Sequence, residues 1–264
     1  MKKIISTLLV IASVVSLASA AGKKKSTLKV GATPEPHAEI LNLIKADLKK
    51  QGINLKVVEF TDYVTPNKAL EDGQIDANFF QHLPYLESFN QEQGTHLSSA
   101  GGIHIEPIAL YSKKLSSLSD LPVGANIGIP NDPTNEGRAL LLLQSAGLIT
   151  LKANAGITAT PLDIASNPKN LKFTEVEAAS VPRILPDVDA AIINGNYAIP
   201  AGLNASKDGL FVEGSDSPYV NVIAVKVGHE NDDAIKALVK AVQSPKVKEW
   251  IQKKYPNGDV IAVF

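Results

Sequence analysis

Apolar runs short enough for strands alternate with helix-period segments along most of this chain, and that alternation limits the architecture more tightly than any motif. Residues 28–33 predict a strand, stopped by Pro34-Glu35-Pro36. Ile40, Leu41, Ile44 and Leu48 then recur at helical spacing as far as Gly52. A second strand is predicted at 55–60, a short helix at 66–72, a third strand at 75–78 and a helix at 83–93. The pattern resumes with a strand at 127–130, a Leu-rich helix at 134–146 and a strand at 171–176. A short helix interrupted by Pro182 follows at 178–185, then an apolar strand at 190–193 and another at 219–227. Helices at 232–243 and 245–254 close the chain. Such alternation predicts an α/β fold, a largely parallel sheet with helices on both faces.

Two long strand-like segments, 103–112 and 219–227, flank the second strand–helix block. If both cross between lobes, lobe one is discontinuous (28–112 plus 224–264) and lobe two spans 113–223. A ligand would then lie in the cleft of a hinge. A single doubly wound domain fits the same pattern, and the spacing does not choose between them.

The start of the chain reads as a leader. Lys2 and Lys3 precede a mostly apolar run at 4–17, too short to cross a bilayer comfortably, and Ala18-Ser19-Ala20 supplies small residues for cleavage. Residues 1–20 are expected to be a signal peptide and 21–27 (AGKKKST) a flexible tether; a buried N-terminal helix is the alternative. The formal charge of −1 becomes −3 without Lys2 and Lys3. Neither nucleic acid nor an anionic membrane is therefore an expected partner. The chain has no cysteine, which excludes disulfides, thiolate metal sites and a Cys nucleophile.

Enzyme signatures are missing: no Gly-x-Ser-x-Gly elbow, phosphate-binding loop, dinucleotide fingerprint or His-Glu-x-x-His. None of the five histidines is spaced three or four residues from another, so no helical metal pair is predicted. His96 and His104 flank a glycine pair and either approach each other or sit at a strand edge. No catalytic residue, metal or cofactor is expected. A competing reading is an exported hydrolase or isomerase using His82 with Asp76 or Glu106.

Three groups suit ligand binding. Of 26 basic residues only Arg138 and Arg183 are arginines. Arg138 follows Pro130-Asn-Asp-Pro-Thr-Asn-Glu-Gly, a turn into a helix that Asp132 or Thr134 can cap. A guanidinium near that end can receive a carboxylate through two parallel hydrogen bonds, or it pairs with Glu136 on the surface. Arg183 is expected to form a structural ion pair. Aromatic residues make up only 5% of the chain, yet Phe79, Phe80, Tyr85 and Phe89 cluster after the third strand, with Tyr63 at the matching sheet edge. Such a wall suits an apolar or thioether side chain; core packing is the alternative, favoured for Phe79 and Phe89. Asn194 and Asn221 stand beside or within strands, where amides are uncommon. They can serve an ammonium and a carboxylate or, for Asn194, simply a turn.

Segments spread over nearly all of 28–223 resemble the MetQ/NlpA family of methionine-binding lipoproteins, the substrate-binding components of methionine ABC importers. They include LKVGATPEPHAEIL (28–41), NFFQHLPYL (78–86), PNDPTNEGRALLLL (130–143) and DGLFVEGSDSPYVNVI (208–223). The resemblance implies a two-lobed, periplasmic-binding-protein-like α/β fold joined by two crossover strands. It places the ligand carboxylate at Arg138, with Asn135 near the helix start. It sets Tyr63, Phe80, His82 and Tyr85 around the side chain, and Asn194 and Asn221 at the head group. The implied ligand is L-methionine or a related amino acid, and the partner the membrane permease of an ABC importer. A monomer is expected in the periplasm or on the outer face of the cytoplasmic membrane. Family members carry a cysteine for lipid attachment at the leader boundary; here Ala20-Ala21 stands in that region, so a lipid anchor is not expected. Gly195-Asn196 departs from what can be carried over, and no role is assigned to it.

Overall fold

The computed structural model describes residues 26–214 and 217–264; the predicted signal peptide and most of the predicted tether lie outside these residues. The chain runs β1 (Ser26–Ala32), α1 (Glu39–Lys50), β2 (Ile53–Glu59), α2 (Thr65–Glu71), β3 (Ala77–His82), α3 (Leu83–Gln93) and β4 (Leu97–Ile105). It continues through β5 (Ala109–Tyr111), β6 (Asn126–Pro130), α4 (Pro133–Ser145), β7 (Thr150–Leu151), β8 (Ile164–Ser166), β9 (Lys172–Val176), α5 (Val181–Ile184) and β10 (Ala190–Ile193). The last part comprises α6 (Gly195–Ala198), α7 (Ala205–Asp208), β11 (Gly209–Val212), β12 (Val220–Lys226), α8 (Asp233–Val242), α9 (Pro245–Lys254) and β13 (Ile261–Ala262).

Two sheets form, one per lobe. The first has the order β13-β4-β12-β3-β1-β2 and the second β11-β5-β10-β6-β9, with β7 and β8 as a separate pair. Each sheet carries helices on both faces. Leu41 and Ile44 of α1, Leu238 of α8 and Ile251 of α9 cover one face of the first sheet, and Leu70 of α2 and Leu86 of α3 the other. On the second sheet, Leu140 and Leu143 of α4 pack with Ile192, while Val181 and Leu185 pack with Ala191 and Ile193 on the opposite face. β10 is thus covered on both faces, which is why Ala190–Ile193 is uninterruptedly apolar.

The expectation of a largely parallel sheet needs correction. β1, β2 and β3 pair in parallel, as do β6, β9 and β10, but β12, β4, β13, β5 and β11 join antiparallel, so both sheets are mixed. Burial periodicity reports which faces are covered, not strand direction. The predicted long strand at 103–112 is two strands in different sheets. Pro107, which has no N–H to donate, separates them. The chain therefore changes sheets between β4 and β5 and returns between β11 and β12. Ala109–Tyr111 pairs in the second sheet and Val220–Ile223 in the first, whereas the expected limits placed 109–112 in lobe one and 220–223 in lobe two. The structure also starts β1 inside the expected tether, since Ser26 and Thr27 pair with Ile53 and Asn54 through backbone bonds indifferent to their polar side chains. β3 extends to His82, beyond the predicted end at 78, because β12 pairs with it through Gln81 and His82.

Gly137 on α4 marks a close approach that the second lobe requires. A methyl group there would stand 2.2 Å from the Ile157 carbonyl oxygen and 2.9 Å from the Ala159 nitrogen, both backbone atoms. Glycine-to-alanine in a helix ordinarily stabilises by roughly 1 kcal/mol. Here Gly137→Ala is expected to destabilise by about 1–3 kcal/mol, lowering Tm by roughly 2–4 °C for each kcal/mol. Scanning calorimetry checks this, and a raised Tm would contradict the packing.

Candidate functional site

The C-terminal ends of β3 and β10 and the first turns of α4 converge on a cavity with about 320 Å³ of empty space. The eight residues named from the sequence, Tyr63, Phe80, His82, Tyr85, Asn135, Arg138, Asn194 and Asn221, all line it. Four further lining residues were not proposed as ligand contacts: Gln81, Glu106, Gly195 and Asn196. Glu106 was named only as a possible catalytic partner.

Arg138 is buried, on the second turn of α4. Its partner is not the neighbouring Glu136 but Glu213, just past β11. Nε donates to Glu213 Oε1 at 2.9 Å and Nη2 to Glu213 Oε2, while Nη2 also donates to the Glu106 carbonyl at 2.8 Å. The Tyr219 ring lies 4.3 Å from the guanidinium carbon. The expected two-nitrogen fork toward a ligand is therefore already filled. Nη1 is the guanidinium nitrogen without a hydrogen bond among the described residues. Arg183 forms no ion pair among those residues and donates to the Ser180 hydroxyl at 2.8 Å.

Asp132 caps α4, accepting from the Asn135 backbone N–H at 3.0 Å, and both its oxygens receive the Asn135 amide nitrogen. Asn135 Oδ1 accepts in turn from Asn194 Nδ2 at 2.7 Å and from His82 Nε2 at 3.2 Å. The His82 tautomer follows from its other contact. Nδ1 accepts from the Tyr85 backbone N–H at 3.1 Å, capping α3, so Nε2 carries the proton. Burial, reinforced by Arg138, lowers the His82 pKa to about 3 and keeps the ring neutral. This chain of bonds joins the lobes across the cavity. With Asn135 saturated, Asn194 Oδ1 is left as a buried acceptor with no partner among the described residues.

Behind Asn221 lies a buried cluster that the spacing of the histidines concealed. His37 Nε2 bonds Asn221 Oδ1 at 3.1 Å and stands 3.3 Å from Glu106 Oε1, while His104 Nε2 bonds Glu106 Oε1 at 2.7 Å. Asn221 faces His82 on one neighbouring strand and His104 on the other. His104 is fully buried and does not meet His96, which is exposed beside Glu71. One ligand atom from each of His37, His104 and Glu106 lies close enough to the others to hold a metal ion, but the His104–Glu106 and His37–Asn221 hydrogen bonds already engage these atoms. Burial pushes the Glu106 carboxyl up in pKa; His37, Arg138 and the Asn196 backbone N–H draw it down. Gly195 permits this approach, since a Cβ there would lie 2.8 Å from Glu106 Cβ.

Tyr63, Phe80 and Tyr85 form an aromatic wall, with Tyr63 5.8 Å from each of the other two ring centroids. Tyr85 donates to the Tyr63 carbonyl at 2.9 Å and Tyr63 donates to Asn196 Oδ1 at 2.5 Å. Phe89 packs against Tyr85, and Phe79 lies in the first-lobe core. Gln81 turns its amide to Asn67 and Asn78, all three buried, and so anchors β3 to α2. Asp76 lies at the far end of β3, about 20 Å along the strand from His82. It accepts from the Lys29 N–H there. The structure rules out the His82–Asp76 pairing of the catalytic reading.

The model of the family described as NlpA lipoprotein matches residues 28–264. The chain is 47% identical over 237 residues to membrane lipoprotein TpN32 of Treponema pallidum, covering 90% of this chain and 88% of that one. It is 44% identical over 243 residues to the D-methionine-binding lipoprotein MetQ of Escherichia coli K12, covering 90% and 89%. Among solved structures, a nutrient-binding protein from Burkholderia cenocepacia bound to methionine superposes with a TM-score of 0.87 at 51% identity, covering 90% of this chain and all of that one.

Burial holds three histidines neutral, lowering the pKa of His37 from 6.5 to about 4 and those of His82 and His104 to about 3. Unfolded histidines take up protons below about 6.5. The stability these rings contribute is thus complete above that pH and lost as pH falls from 6.5 toward 4. Three carboxyls that burial shifts upward, Glu106, Asp132 and Glu136, oppose this. Each net proton taken up on unfolding steepens the loss by about 1.4 kcal/mol per pH unit. In an NMR titration the His37, His82 and His104 rings are expected to stay neutral from pH 8 down to about 5; any of them taking up its proton near pH 6.5 would contradict the buried neutral state.

Proposed function

The chain belongs to the NlpA lipoprotein family, and on that footing we propose that it is an extracytoplasmic substrate-binding protein that captures L-methionine and passes it to the membrane permease of an ABC importer. The observation that carries this reading is the pairing of opposite charges in one cavity. Buried Arg138 contributes Nη1 and buried Glu106 a carboxylate, a complement to a zwitterion. The α-carboxylate meets Arg138 Nη1. The ammonium meets Asn194 Oδ1 and Glu106, and its charge favours the ionised form of Glu106. Asn221, held by His37, completes the head-group side. The side chain lies along Tyr63, Phe80, Tyr85 and the His82 ring, and Asn135 acts by orienting Asn194 and His82.

Binding rather than catalysis fits the state of the candidate base, because both His82 ring nitrogens are engaged and its pKa is depressed. Among the described residues no helix is long and apolar enough to cross a membrane. We place the protein outside the cytoplasmic membrane as a monomer, exported by the predicted leader; with no cysteine in the chain, thioether lipid attachment is not part of this reading. Related amino acids compete for the site, since burial yields only about 0.8 kcal/mol per methylene.

Arg138→Ala is expected to weaken L-methionine binding at least about 30-fold in isothermal calorimetry, in line with the roughly 2–5 kcal/mol that loss of a buried charge partner costs. Unchanged affinity would sink the assignment. Glu106→Gln is expected to cost about 1.5–3 kcal/mol of the same binding free energy; a neutral effect would remove Glu106 from the ammonium site.

A further inference from the structure

Asn196 has a polar atom that the reading above leaves unused. The residue is 4% exposed, lines the cavity and sits on α6, where its backbone N–H serves Glu106. Its Oδ1 receives the Tyr63 hydroxyl at 2.5 Å. Its Nδ2 is buried and has no hydrogen-bond partner among the described residues. Because Oδ1 is fixed to Tyr63, the amide stands beside the aromatic wall. A buried donor left unpaired is costly, and the cost falls on whichever ligand fails to supply an acceptor.

We propose that Asn196 is a specificity-determining residue, whose Nδ2–H donates to an acceptor atom in the ligand's side chain. The inference rests on the amino-acid-binding reading and deepens it: the substrate class becomes α-amino acids with an acceptor partway along an otherwise apolar side chain. In methionine that atom is the thioether sulfur, a weak acceptor. A hydrocarbon side chain of equal length fills the same aromatic slot but leaves Nδ2 unpaired. Shape alone separates two such side chains poorly, so Asn196 supplies the discrimination.

The test is calorimetric titration of L-methionine and L-norleucine into wild type, Asn196→Leu and Asn196→Ala. Wild type is expected to prefer methionine about tenfold or more, as one unpaired buried donor implies. In both variants the preference is expected to fall to within about twofold, with methionine weakened and norleucine unchanged or tighter. The ratio is measured on one protein at a time, so a general loosening of the cavity in either variant cancels. Variants that weaken both ligands equally and keep the wild-type ratio would overturn the proposal and leave Asn196 a structural prop for Tyr63. A wild type that binds both equally would overturn it as well. A wild type that binds neither would overturn the amino-acid reading itself, and this inference with it, before any variant is compared.

Discussion

The guanidinium of Arg138 is the point on which the site depends. A buried cation needs partners, and this one draws them from both places where the chain changes sheets: the Glu106 carbonyl in the first crossing and the Glu213 carboxylate in the second. Glu213 also bonds the first crossing directly, its backbone N–H donating to the Ile108 carbonyl at 2.9 Å. One side chain on α4 therefore ties the two connections between lobes to each other. Breaking one partner away would leave a charge stranded in a poorly solvated place. The arrangement orients the guanidinium, with Nη1 the nitrogen lacking a protein partner among the described residues.

Besides apolar contacts such as Tyr63 with Tyr197 and Ile199 on the first-lobe core, the lobes meet through several polar ones. His82, Asn135 and Asn194 form one bridge, Tyr63 and Asn196 a second, Tyr197 with the Thr61 carbonyl a third, and Asn204 and Ala205 with Asp259 a fourth. Inter-lobe contacts of this kind resemble a transient interface, which suits a cleft that must open and close. In the joined arrangement the cavity is shielded, and charge–charge attraction inside it gains strength from the lower dielectric. The same shielding depresses the histidine pKa values, so polarity toward the ligand rests on Arg138, Glu106 and amides rather than on imidazolium groups.

Much of the site was legible in the sequence because its chemistry is compositionally rare. A chain that uses lysine almost throughout spends one of two arginines at a helix start, and a chain poor in aromatics gathers them around β3 and α3. The helices at Leu83–Gln93 and Pro245–Lys254 and the strand Ala190–Ile193 were legible to the residue, since a proline or an apolar run marks each. Contacts between distant segments were not. Glu213 lies 75 positions from Arg138 and Asn221 184 from His37, and nothing local announces either meeting. His104 read as a surface or strand-edge residue because spacing cannot reveal burial in a three-strand neighbourhood. Strand direction, and the sheet change at Pro107, depend on topology that periodicity does not encode.

The account reduces to a claim of charge complementarity: the cavity holds a molecule with an ammonium and a carboxylate on one carbon, and a thioether chain beyond. Calorimetric titration of the wild-type protein with L-methionine, with 4-(methylthio)butanoate, which lacks the ammonium, and with 3-(methylthio)propylamine, which lacks the carboxylate, tests it most directly. L-methionine is expected to bind, and each truncated analogue to bind at least about a hundredfold more weakly, as removal of a charge facing a buried partner implies. An analogue missing either charge that bound as tightly as L-methionine would contradict the account.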